Sequence, residues 1–72
     1  MEKSVFTKEY GAFLKKLRTA RRQLNLTQVE VAKRLNKPQS FLSKIESGER
    51  RVDVVELGRL AKLYKKSLSF FE

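Results

Sequence analysis

The sequence has 72 residues, carries a formal net charge of +9, and contains neither cysteine nor histidine. A chain of this length forms one domain, and the missing residue types exclude disulfides, thiolate or imidazole metal sites and the commonest general base. We therefore expect helix packing to supply the stability, and we expect no enzymatic activity, no metal and no cofactor.

The charge balance indicates a polyanionic partner. No apolar run is long enough for a signal peptide or a membrane span, which predicts a soluble, cytoplasmic protein. A basic surface without a partner remains an alternative, as does an anionic membrane surface, although a membrane anchor should carry tryptophan or a broad apolar face. The charge favours nucleic acid as the partner, and the spacing of the motifs has to decide between these alternatives.

The first predicted helix lies between residues 7 and 24, after a flexible tail at residues 1–6. Its apolar side chains recur mostly at three- and four-residue steps, which is typical of an amphipathic helix. These side chains are Tyr10, Phe13, Leu14, Leu17 and Leu24. Residues 7–72 are expected to form one domain, and the elements that follow make it a compact all-α domain of five helices.

The second helix has a strong start signal at Thr27. A threonine N-cap followed three residues later by a glutamate, here Glu30, predicts a capping box in which each side chain bonds the other's backbone. The helix is expected to run to about Leu35. Ala32 falls where this helix should cross the third one most closely, since only a small side chain lets the two backbones approach.

A tight turn separates the second helix from the third. Asn36 tolerates the left-handed backbone that ends a helix, and Pro38 suits the first position of a new one. The third helix is predicted over residues 38–47, with Leu42 facing inward and Gly48 as its C-terminal stop. Two short helices joined in this way form a helix-turn-helix.

The fourth helix repeats the start signal. Asp53 is the predicted N-cap, Glu56 completes its capping box, and the helix runs to about Tyr64. Ser67 can then cap a last short helix over residues 68–71. No segment has the alternating pattern of a strand.

The third helix carries the candidate functional surface. Its outward side chains are Gln39, Ser40, Ser43 and Lys44, with Phe41 and Ser47 at the edge. An ordinary solvated helix face in so basic a chain should be rich in Glu, Lys and Arg, which this face is not. For each single residue, however, a solvated side chain without a DNA contact remains the alternative. Glutamine suits adenine N6 and N7, lysine suits guanine, and serine suits either, so this strip is typical of base contact in the major groove of DNA.

The two helices also resemble a known family. The matching residues are Thr27-Gln28-x-Glu30-Val31-Ala32-x-x-Leu35 and Pro38-Gln39-Ser40-x-Leu42-Ser43-x-Ile45-Glu46-x-Gly48. This pattern is similar to the helix-turn-helix of the phage repressor and Cro family, also called the xenobiotic-response-element (XRE) family. The resemblance extends from about Tyr10 to Phe71. Asn36 stands where the family usually has glycine, a mild departure because asparagine also enters the left-handed region.

The resemblance implies roles for single positions. Base contacts are implied for Gln39, Ser40, Ser43 and Lys44, and phosphate contacts for Gln28, Ser47, Arg50 and Arg51. It also implies an ion pair between Arg21 and Glu46 that ties the first helix to the end of the third and fixes its orientation. Ala32 and Asn36 are the remaining structural positions.

The function implied by the resemblance is a sequence-specific DNA-binding transcriptional regulator, which we expect to be a cytoplasmic, DNA-associated repressor encoded by a bacterium or a phage. One such module contacts little DNA, so we expect a homodimer on a near-palindromic operator. Leu68, Phe70 and Phe71 are the dimer candidates, unless they close the monomer core instead. The alternative function is an antitoxin or another protein-interaction module of the same fold, whose main partner is a protein.

Overall fold

The computed structural model describes residues 7–72. In that range it contains α1 (Lys8–Gln23), α2 (Gln28–Arg34), α3 (Gln39–Ser47), α4 (Val54–Leu63) and a C-terminal 3₁₀ turn (Leu68–Phe71), with no strand. The prediction of an all-α domain is confirmed. The count of five helices is slightly off, because the last element is a single 3₁₀ turn closed by the bond from the Phe70 N–H to the Ser67 carbonyl (3.1 Å). The flexible tail predicted for residues 1–6 lies outside the described residues.

Side-chain caps fix where α1, α2 and α4 begin. Thr7 caps α1 by accepting a backbone N–H from the first turn at 3.1 Å. At α2, the Thr27 hydroxyl accepts from the Glu30 N–H at 3.1 Å, and the Glu30 carboxylate accepts from the Thr27 N–H at 2.8 Å. Asp53 and Glu56 form the same reciprocal box at α4. Both capping boxes that the sequence predicts are therefore present.

The turn between α2 and α3 is slightly longer than predicted. Pro38 is predicted as the first residue of α3, but it is the N-cap, because its ψ of 158° lies outside the helical region. Its carbonyl accepts from the Phe41 N–H at 3.0 Å, so α3 begins at Gln39. Asn36 has a φ of 58°, the left-handed conformation that lets the chain reverse direction here.

The core lies where the helices meet. Its buried members are Leu14, Leu17, Ala20, Val31, Ala32, Leu42, Ile45, Leu60, Ala61, Tyr64 and Phe71. Ala20 and Ala32 are fully buried, and their methyl groups let neighbouring helices approach closely. Leu24 is instead 37% exposed, although the sequence pattern predicts an inward side chain. The reason is that α1 ends at Gln23, so Leu24 is the C-cap and leaves the helical face.

Tyr64 and Phe71 close the core near the C-terminus. The Tyr64 hydroxyl is buried without a hydrogen-bond partner among residues 7–72, and burial raises its pKa far above the ordinary value. Phe71 is 5% exposed and meets Phe13 edge to face, with ring centroids 6.3 Å apart. Of the dimer candidates, Phe71 therefore belongs to the monomer core, whereas Leu68 stays 49% exposed.

Candidate nucleic-acid interface

The outward strip of α3 is open to solvent in this structure. Gln39, Ser40, Lys44 and Ser47 are exposed, and Ser43 is half-buried. The opposite face of α3 buries Leu42, Ile45 and Glu46 against the rest of the domain. The helix is thus held from behind by its apolar residues while its polar side chains project outward.

One border of this strip, which we call the amide edge, is a hydrogen-bonded chain of Arg21, Glu46, Gln28 and Gln39. Arg21 donates to both carboxylate oxygens of Glu46, from Nε to Oε2 at 2.7 Å and from Nη2 to Oε1 at 3.0 Å. Gln28 donates from Nε2 to Glu46 Oε1 at 2.9 Å. Gln39 donates from Nε2 to Gln28 Oε1 at 2.8 Å. A buried ion pair is therefore connected to an exposed residue of α3.

Helix α1 holds the end of α3 by side chain and by backbone. Besides the ion pair, Arg18 Nη1 donates to the backbone carbonyl of Glu46 at 3.0 Å, and Arg21 Nη1 donates to the Leu26 carbonyl at 2.9 Å. Hydrogen bonding to Glu46 raises the pKa of Arg21. Arg21 and Glu46 are both buried, so the pair implied by the resemblance is formed and it joins α1 to α3.

The other border of α3, which we call the aromatic edge, is a cluster of Phe41, Lys37, Arg50 and Glu56. The Phe41 ring centroid lies 5.2 Å from Lys37 Nζ and 4.7 Å from Arg50 Cζ. Arg50 also makes a two-pronged pair with Glu56, at 2.8 Å from Nη1 to Oε1 and 2.9 Å from Nη2 to Oε2. These bonds lower the pKa of Glu56 and raise that of Arg50.

The four residues implied as phosphate contacts differ in their surroundings. Gln28 and Arg50 already have the intramolecular partners described above. The Ser47 hydroxyl donates to the Lys44 carbonyl at 3.1 Å. Arg51 is exposed, and its guanidinium lies 4.5 Å from the Tyr10 ring centroid.

The structure adds residues that the sequence reasoning did not assign to the site. The sequence gives no signal that Arg18 and Lys37 lie beside α3, since any surface cation has the same side-chain chemistry wherever the fold places it. Val54 and Val55, in the first turn of α4, are 75% and 63% exposed. They are the most exposed large apolar side chains within residues 7–72, and their position next to a capping box gave no hint of this.

An all-α domain whose polar helix projects from a tight turn against a supporting helix has the architecture of a helix-turn-helix DNA-binding domain. A family model described as "Helix-turn-helix" matches residues 17–71, which is most of the chain. The protein belongs to this helix-turn-helix family, of the XRE or Cro/C1 type, and is a DNA-binding regulator of that type. No curated protein matches the sequence. Within residues 7–72, none of the helices combines the length and apolar character needed to cross a membrane.

Proposed function

We propose that this protein is a sequence-specific transcriptional repressor that reads the major groove of DNA with residues 38–47. The observation that carries the proposal is the exposed polar strip of α3 on a body with a net charge of +9. Lysine and arginine supply affinity for any DNA by displacing counterions from phosphates, and the strip supplies selectivity. No enzymatic step, cofactor or metal is part of this function, which we assign to the cytoplasm.

Base reading is assigned to Gln39, Ser40, Ser43 and Lys44. All four lie on one side of α3, and none is fully buried. Gln39 and Ser40 stand in the first turn, the part of a recognition helix that reaches base edges in this docking geometry. A glutamine amide can pair with adenine N6 and N7, and a lysine suits the guanine acceptors.

Phosphate contact is assigned to Gln28, Ser47, Arg50 and Arg51. Arg51 is exposed in the segment that follows α3, so its guanidinium can be reached by a phosphate. At Arg50, a phosphate has to compete with Glu56 for the guanidinium. The two adjacent arginines therefore allow a direct comparison.

The protein should act as a homodimer on a near-palindromic operator. A single module of this size buries only about 600–1,000 Å² on DNA, which is little for tight selection. The exposed Leu68 and the partly buried Phe70 remain candidates for the dimer surface, and the exposed Val54 and Val55 form a second one. An open groove of about 340 Å³, lined partly by Val54 and Tyr10, gives a second copy an apolar surface to fill.

The alternative function is an antitoxin or protein-interaction module. It is favoured by the same exposed valines, which could meet a different protein. A toxin gene beside this one would support that alternative. Analytical ultracentrifugation of the wild type, Val54→Glu and Leu68→Glu distinguishes the homodimer from this alternative. Loss of the dimer in one variant would locate the dimer interface. A wild-type protein that is monomeric both on and off DNA would contradict homodimerisation.

The central test is selection of preferred sites from a random DNA pool, followed by binding to the selected site at about 50 and 200 mM salt. We expect one recurrent, two-fold symmetric site and a steep loss of affinity with salt. Arg51→Ala should flatten the salt slope by about one unit. Lys62→Ala, which removes an exposed cation on α4, is the control and should leave the slope unchanged. The absence of any preferred site would overturn the proposal.

A further inference from the structure

A groove lined by cations lies where the end of α2 meets α4. It has a volume of about 400 Å³. One wall comes from the end of α2 and the turn after it, and the other from the second half of α4. The lining residues are Arg34, Leu35, Asn36, Arg59, Lys62 and Leu63. None of them is assigned to a base, a phosphate or the dimer surface, so the groove is separate from the surfaces of the function proposed above.

The three cations of this groove have no acidic residue beside them in its lining. Arg34, Arg59 and Lys62 are exposed, and none of them forms a hydrogen bond or an ion pair within residues 7–72. Arg34 acts electrostatically on the Glu30 carboxylate, but that carboxylate already accepts from the Thr27 N–H in the capping box. The groove therefore presents three positive charges to solvent.

The same groove has an apolar component. Leu35 and Leu63 are partly buried, since each packs against the core and leaves part of its side chain accessible. A smaller recess of about 60 Å³ adjoins the groove, because it shares Leu35 and Arg59 with it and is also lined by Phe41 and Leu60. Drug-sized ligands need a pocket of about 300 Å³ or more, so the recess suits a single apolar side chain.

These two components define the chemistry of a partner. An apolar centre with a charged rim is the usual anatomy of a contact between proteins. Carboxylates of the partner would pair with the cations, and an apolar side chain would cover the leucines. Nucleic acid would leave Leu35 and Leu63 uncovered. A small anion in the recess would meet Glu56, which also lines it and whose pKa Arg50 keeps low.

We propose that this groove binds another protein through a segment in which leucine or another apolar residue is flanked by aspartate or glutamate. The occupant is a protein segment because only such a segment supplies both carboxylates and an apolar side chain. This binding goes beyond DNA reading, and the two activities use different residues. A regulator with both surfaces would connect a protein partner to the DNA site that α3 contacts.

The test begins with selection of peptides from a random displayed library on the folded wild-type protein. The selection is carried out at about 150 mM salt, which screens long-range attraction to the net charge. We expect enrichment of peptides that carry an apolar residue between acidic residues. In a titration of labelled protein with the strongest peptide, backbone amide NMR shifts should change most at Leu35, Asn36 and Leu63. Failure to enrich acidic peptides, or shifts centred on α3, would overturn the proposal.

Paired variants test whether the cations of the groove hold the peptide. Arg34→Gln with Lys62→Gln removes one cation from each wall, and should weaken binding of the peptide about three- to ten-fold, since exposed ion pairs are individually weak. The control, Lys8→Gln with Lys15→Gln, removes two exposed cations of α1 and should bind like the wild type. Equal losses in the two pairs would show that net charge alone attracts the peptide, and would contradict a specific groove.

A changed peptide tests the apolar component without altering the protein. Alanine in place of the apolar residue keeps the charge of the peptide and should weaken binding several-fold further. An unchanged affinity would reduce the contact to charge attraction and would also overturn the proposal.

Two other occupants give distinct results. If Lys44→Gln with Arg51→Gln weakens peptide binding more than the groove pair does, the peptide is a mimic of DNA on α3, and the proposal fails. If excess peptide dissociates a wild-type dimer in ultracentrifugation, the groove belongs to a second copy of the chain, and the proposal again fails. A protein that selects no DNA site but binds the peptide in the groove would remove only the function proposed above.

Discussion

The two edges of α3 contain the same chemical unit, an arginine with two hydrogen bonds to a glutamate, in different surroundings. On the amide edge, the side chains of Arg21 and Glu46 are 10% and 4% exposed. On the aromatic edge, those of Arg50 and Glu56 are 41% and 19% exposed. The two pairs differ in burial, and also in the guanidinium nitrogens that donate, which are Nε and Nη2 in Arg21 and Nη1 and Nη2 in Arg50.

This difference teaches what each pair can do. Water screens the Arg50–Glu56 pair. The pair therefore helps to hold the segment after α3, but removing the pair should destabilise the fold only slightly. Water has little access to the Glu46 carboxylate, which accepts its hydrogen bonds from Arg21 and Gln28 instead. The buried pair can therefore orient Gln28 and Gln39, and the exposed pair can only restrain a loop.

Replacing Arg21 should destabilise the fold far more than replacing Arg50. Arg21→Met leaves Glu46 charged and unpaired in the interior, and should lower the free energy of unfolding by about 3–5 kcal/mol. Arg50→Met should cost much less, because water can solvate Glu56. Chemical denaturation of both variants checks this, and equal losses would contradict the contrast. Combining Arg21→Met with Glu46→Leu should recover most of the loss, since no unpaired charge remains.

A second comparison uses DNA selectivity. Gln39→Ala should cost about 1–3 kcal/mol of discrimination at one base position and leave the others intact. Phe41→Leu, on the aromatic edge, should weaken binding to all sequences alike, because Phe41 positions Lys37 and Arg50. Affinities for a set of single-base variants of the selected site measure both. A uniform loss in Gln39→Ala would move Gln39 to the backbone contacts.

The pH dependence of the Tm tests whether the Arg50–Glu56 pair on the aromatic edge stabilises the fold. Arg50 lowers the pKa of Glu56, so this pair stabilises the fold above the unfolded pKa of about 4.3, and the stabilisation is lost as pH falls through the folded pKa. Lowering the pH from about 6 to about 3 should therefore reduce the Tm of wild type more than that of Glu56→Gln. Glu49→Gln leaves the pair intact and should follow the wild type. An equal fall in Glu56→Gln would contradict the assignment.

The smallest expected effect concerns the residue behind the amide edge. The Tyr64 hydroxyl is buried without a partner among the described residues, and the charges of Glu46 and Arg21 act on it electrostatically. Tyr64→Phe removes an unsatisfied group and should change the free energy of unfolding by about 1 kcal/mol or less. Base selectivity should not change, because the amide edge needs no contribution from this hydroxyl. A large loss in thermal denaturation would show that the hydroxyl has a role we have not described.

Local chemistry made much of the fold predictable. Thr27 with Glu30 and Asp53 with Glu56 mark helix starts because cap and helix lie within four residues of each other. Asn36 marks a turn because few residues tolerate its φ of 58°. The predicted start of α3 differs from the observed one by one residue, because proline suits both the N-cap and the first helical position. Only the backbone hydrogen bonds distinguish these two positions.

The helices, the turn and the types of side chain on the outward strip of α3 can be predicted from the sequence alone, because they depend on periodicity and on contacts between near neighbours. The packing of the elements is what brings Arg50 to Glu56, places Phe71 in the core and lets Gln28 link Glu46 to Gln39. Most of these relations join residues from different elements, and the contact of Phe13 with Phe71 spans most of the described chain. Their geometry depends on how whole helices pack, which no local pattern specifies.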